Sequence, residues 1–118
     1  MHQQEMLKGN TNSLLLTLSE EEPMYGYQTV KEVDQRSSAY FAFKEGTLYP
    51  ALHRLETANL IEGRREDTPS NVRRRYYLIT AKGHEALRDR LSEWRQFTSA
   101  MNSIMLPGMS PGAVTEAR

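Results

Sequence analysis

Apolar residues in the first half of the chain recur at intervals of three and four, the spacing of one helix face. Over residues 5–18, EMLKGNTNSLLLTL places Met6, Leu7, Leu14, Leu15 and Leu18 where a first helix can bury them, although Gly9 and two asparagines weaken its first half. SEEEP ends it, and beyond Pro23 a second helix is predicted over residues 25–36, with Tyr27, Val30 and Val33 on its apolar face. A third, carrying Leu48, Leu52 and Leu55, starts near Lys44 or Thr47 and runs to Ala58, where Asn59 can take the left-handed conformation that ends helices. Pro50 sits inside it. A start at Thr47 puts that proline in the first turn, where a missing N–H costs little; a start near Lys44 sacrifices one hydrogen bond.

The period then changes. LIEGRRED and VRRRYYLI flank TPSN, and their β-branched and aromatic content around a Pro-Ser-Asn turn predicts a β-hairpin. From Thr80, a plausible N-cap, a long helix follows in which Leu87, Leu91, Trp94, Thr98, Met101 and Met105 alternate at four and three. That is a heptad seam interrupted by Thr98 and widened by Phe97 and Ile104. A helix of about 25 residues spans roughly 38 Å, more than one small body needs, so its far half requires a partner. The fold class is therefore mainly α with a small β-hairpin, a winged helix-turn-helix plus a long C-terminal dimerisation helix. The winged domain is expected over residues 5–79, the dimerisation helix over 80–105 and a disordered tail over 106–118.

Composition narrows the function. The 118 residues suit one modest core, and the absence of cysteine excludes disulfides, zinc-thiolate sites and cysteine nucleophiles. The apolar runs, such as LLL, fall far below membrane-spanning length, and the N-terminus lacks the layout of a signal peptide, so a cytoplasmic protein is expected. Formal net charge is zero, yet residues 63–77 hold five arginines against two carboxylates. Such a patch either binds phosphates or is a solvated hairpin. No nucleophile elbow, phosphate-cradling glycine loop or paired-carboxylate motif argues for an enzyme. His53 lies far along the chain from His2 and His84, with no carboxylate-histidine spacing to mark a metal site.

In a winged helix-turn-helix the helix before the hairpin enters the DNA major groove, and the wing approaches phosphates or the minor groove. At about 100° per residue, Gly46, Thr47, Pro50, His53, Arg54 and Thr57 oppose the leucine face, with Tyr49 on the flank. His53 can meet a base edge and Arg54 a phosphate or guanine, or each can simply be solvated. A winged-helix module that binds proteins without sequence-specific DNA binding is the alternative.

YGYQTVKEV, GTLYPALHRLETANLIEG and RRRYYLITAKGHEAL together resemble the PadR family of bacterial transcriptional regulators, over about residues 6–105. Within it, EMLKGNTNSLLL and SEW resemble the small multidrug-binding repressors. Two departures stand out: Asn59 replaces the usual glycine, and Lys44 a small capping residue, offering a phosphate contact instead. The resemblance implies a homodimeric repressor on a near-palindromic operator, with no cofactor. Carried over, Tyr25, Thr47, Tyr49, His53, Arg73 and Arg74 are DNA contacts. Trp94 by default is dimer core; in the resembling repressors the matching tryptophans sandwich flat aromatics at the dimer centre. By that match Met6, Gly9, Ser13, Leu91, Trp94 and Thr98 line an effector space without a carboxylate, which favours a planar neutral aromatic over a cation.

Overall fold

A computed structural model of the chain describes residue 7 and residues 9–67 and 73–108, apart from the side chains of Asp67 and Arg73. The elements are α1 (Thr11–Glu21), β1 (Met24–Tyr25), α2 (Gly26–Arg36), α3 (Glu45–Thr57), β2 (Ile61–Asp67), β3 (Arg73–Ile79) and α4 (Ala81–Met105). The chain divides into two compact units after Leu87, inside α4. The expected turn at residues 68–71 and most of the expected tail lie outside the described residues.

The first unit is a mainly helical body with a three-stranded antiparallel sheet, ordered β1-β3-β2. Its core gathers Leu15, Leu16 and Leu18 of α1, Val33 of α2, Leu48, Ala51, Leu52 and Leu55 of α3, Ile61 and Tyr77 of the sheet, and Leu87 of α4. Burying each leucine contributes about 1.5–3 kcal/mol. The expected first helix does not run unbroken from residue 5: Gly9 sits at φ 88° between buried Leu7 and the start of α1, a backbone state only glycine adopts without strain. At its other end α1 runs on through Glu21, three residues past the expected stop.

β1 is too short to leave an alternation in the sequence. Its two residues pair with β3, Met24 opposite Tyr77 and Tyr25 opposite Tyr76, turning the expected hairpin into a sheet. In α2 the buried residues are Gly26, Thr29 and Val33, whereas Tyr27, expected on the apolar face, is 65% exposed. The backbone N–H of Tyr25 donates to Gln28 Oε1 at 2.8 Å, closing the start of the helix. At the end of α3, Asn59 takes φ 64°, as its residue type predicts. The N–H groups of Leu60 and Asn59 then return to the carbonyls of Leu55 and Glu56, both at 2.9 Å, in a Schellman closure.

Thr80 performs the expected cap. Its Oγ1 accepts the Gly83 N–H at 3.0 Å and donates to the Asn59 carbonyl at 2.7 Å, tying the start of α4 to the end of α3. Gly83 is required there, because a Cβ would collide with the Leu60 carbonyl oxygen. Leu87, placed on the dimer seam by spacing, is 1% exposed and belongs to the chain's own core, so it has almost no surface to give a partner.

Candidate nucleic-acid interface

The side of α3 that faces away from the core is set by its leucines. Leu48 and Ala51 are fully buried and Leu52 and Leu55 nearly so, which leaves Gly46, Thr47, Tyr49, Pro50, His53, Arg54 and Thr57 exposed as helical periodicity predicts. Pro50 is the sixth residue of the helix, counted from Glu45, and so lies beyond the first turn. The Gly46 carbonyl loses its helical partner as a result, on a face where water can replace it. Lys44 stands at the N-cap with no side-chain cap bond, its carbonyl accepting the N–H groups of Thr47 and Leu48 at 2.9 Å. Its exposed ammonium group is thus available at the end of the helix where backbone N–H groups favour anions.

Beside this helix, β1 and the wing build an aromatic cluster. The rings of Tyr25 and Tyr76 stack with centroids 4.0 Å apart, and their hydroxyls are hydrogen-bonded to each other. That bond, with smaller help from burial, pushes the Tyr76 phenol up to about 12, so it stays protonated at any physiological pH. The Arg74 guanidinium lies 5.0 Å from the centre of the Tyr25 ring, a cation–π contact that restricts it. Tyr49 closes the other side: its ring covers Gly26, where a Cβ would be 3.1 Å from Cε1 and from the hydroxyl oxygen. Between them runs a groove of about 320 Å³ lined by Tyr25, Tyr27, Tyr49, Arg74, Arg75 and Tyr77, with Gly26 as its floor.

The structure thus brings Tyr25, Tyr49 and Arg74 together at one groove beside the exposed face of α3. For Arg73 only the backbone is described, paired with Asp67. Two aromatic residues of this surface escaped the sequence reading. Tyr27, expected on the apolar face of α2, is exposed and has the Lys31 ammonium 5.6 Å from its ring centre, and Tyr76 gains its partner only through the unforeseen strand β1. The expected effector residues are divided: Gly9 and Ser13 belong to the first unit, Leu91, Trp94 and Thr98 to the second, and Met6 is outside the described residues.

A family model for PadR-like transcriptional regulators matches residues 14–89, a span from α1 into α4. The chain belongs to this family. Members of the PadR-like family are transcriptional regulators and not enzymes. An uncharacterized protein of Lysinibacillus sphaericus is 31% identical over 105 residues, covering 89% of this chain and 96% of its own. Among solved structures, a transcriptional regulator from Clostridium thermocellum superposes with a TM-score of 0.79 at 28% identity, over 86% of this chain and 98% of that one. Bacillus subtilis PadR, solved in complex with operator DNA, shares the fold at 20% identity and a TM-score of 0.65, over 70% of this chain and 46% of its own.

Proposed function

We propose that this PadR-family regulator is a cytoplasmic repressor that binds a near-palindromic operator as a homodimer, presenting α3 to the major groove and the β2–β3 wing to phosphates. The observation that carries this is the exposed outer face of α3 beside the groove in which Tyr25 and Tyr49 flank Arg74. Small groups at the leading end, Gly46, Thr47 and Pro50, allow close approach to base edges, while His53 and Arg54 supply polar readout. Lys44, Arg73 and Arg74 are the phosphate contacts. The B. subtilis PadR complex with operator DNA supports the same use of the fold here.

The homodimer is supported by α4, whose outer half exposes Trp94, Phe97, Met101, Ile104 and Met105. Exposed apolar residues so concentrated on one helix call for a partner, and a symmetric copy supplies the same seam. Trp94 and Phe97, with ring centroids 6.1 Å apart, offer an aromatic surface on which a planar neutral effector would stack at the dimer centre. Binding there would shift the dimer between states with different spacings of the two α3 helices.

Selection of bound fragments from the source genome, followed by a salt titration, tests the proposal. Affinity should fall steeply with salt, with a slope of about −0.9 per neutralised phosphate in a log–log plot. Absence of any enriched fragment, or a flat salt dependence, refutes the DNA-binding role.

A further inference from the structure

Arg75 is held differently from its neighbour on the wing. Register pairs Arg65 with Arg75, Gly63 with Tyr77 and Ile61 with Ile79, so Arg75 projects on the same side of the sheet as buried Tyr77 and Ile61. Its side chain lies across Gly63: a Cβ there would be 2.5 Å from Nε and 2.7 Å from Cζ and Nη2. Beyond Gly63 the guanidinium donates to Glu56 Oε2, in the last turn of α3, forming an ion pair. Its Cζ is also 6.0 Å from the centre of the Tyr77 ring. One arginine therefore starts on the wing, crosses the neighbouring strand through a gap only glycine leaves, and ends on the helix that meets DNA.

Resting on the DNA-binding role above, we propose that Glu56, Arg75 and Gly63 form a lock that sets the angle between the wing and α3. Arg75 is a positioning residue and touches no phosphate, whereas Arg74, on the opposite face of β3, is a phosphate contact of the wing. An exposed ion pair adds little to overall stability. Its value lies in geometry: helix and wing must reach two parts of the duplex at once, and holding their angle in the free protein removes an ordering cost from binding. Gly63 is part of the device because any side chain there displaces the guanidinium from its path.

The test uses the full-length protein and a genome-selected fragment. Arg74→Gln should lower the slope of log affinity against log salt by about one. Glu56→Gln, Arg75→Gln and Gly63→Ala should weaken binding about tenfold at every salt concentration with the slope unchanged. The exchanged pair Glu56→Arg with Arg75→Glu should recover most of the affinity that each single reversal loses, which a phosphate-binding arginine would not permit. Loss of slope in Arg75→Gln, or an exchanged pair no better than the single reversals, overturns the lock. Amide hydrogen exchange of β2 and β3 in the free protein is the independent arm. Exchange should quicken in Glu56→Gln, a substitution at the surface, and not in Arg74→Gln; equal exchange in both overturns the lock. If the wild type enriches no fragment but exchange behaves as expected, the lock stands and the DNA-binding role falls.

Discussion

Ser38 and Ala39, at φ 53° and 65°, hold the left-handed region in succession between α2 and α3. Alanine pays for this conformation with about 1–2 kcal/mol of contact between its Cβ and the backbone. The turn is kept because it closes α2: the Ala39 N–H returns to the Asp34 carbonyl at 2.7 Å and the Ser38 N–H to Gln35 at 3.2 Å. Ser37 Oγ adds to it, donating to the Val33 carbonyl at 2.7 Å and accepting the Phe41 N–H at 3.0 Å. Ala39→Gly should therefore stabilise the protein by about 0.5–1 kcal/mol, the relief of strain outweighing glycine's greater freedom in the unfolded chain. A urea titration checks this, and a lower midpoint would show that Ala39 is not strained. Pro50 is a residue of the opposite kind: exposed and donor-free, it gives up one helical bond on the face proposed to meet DNA.

The joint between α3, β2 and α4 depends on close backbone approach. Thr80 caps α4 while holding the carbonyls of Asn59 and Leu60, and Lys82 Nζ reaches the Ala58 carbonyl at 3.1 Å, adding positive charge at the C-terminal end of α3. Gly83 allows this contact by leaving room for the Leu60 carbonyl, which as backbone within the Schellman closure cannot step aside. Gly83→Ala should cost about 1–3 kcal/mol, despite alanine's better helix propensity. Chemical unfolding would show it, and an unchanged or raised stability would mean that the start of α4 can shift freely. The ion pair of Arg36 with Glu21, joined by Glu32 at 2.9 Å, ties α1 to α2 at the surface. The hydrogen bond from Arg36 holds the Glu21 carboxyl below the usual range, so what little it contributes is present above that range and fades as acid protonates it.

The outer half of α4 is the surface on which the proposed assembly depends. With Ile104 at 78% and Phe97 at 57% exposed, a lone chain leaves unburied apolar surface, and sedimentation velocity at micromolar concentration should show a species of two chains. Ile104→Glu should shift it towards one chain and reduce operator affinity together; a wild-type protein that sediments as a monomer would refute the homodimer. Trp94→Ala should weaken binding of a planar neutral aromatic, read by calorimetry, while leaving a folded protein, and unchanged affinity would remove Trp94 from the proposed effector site. Long-range order in the chain was legible wherever a repeating period wrote it. The leucines of α3 named both its buried face and, by exclusion, its exposed one, and α4 was foretold almost to the residue because 25 residues of helix carry many turns of pattern. Asn59 and Thr80 were legible because each acts on backbone within a few residues of itself. Contacts between residues far apart left no such trace. Two residues of β1 hold no period, yet their pairing with β3 creates the tyrosine cluster. Likewise three adjacent arginines look alike in sequence, and only the tertiary structure separates Arg74, over a tyrosine ring, from Arg75, drawn across Gly63 to Glu56. Local periodicity and backbone chemistry determine which elements form, whereas a side chain's partner is decided by which surfaces the fold brings within a few ångströms.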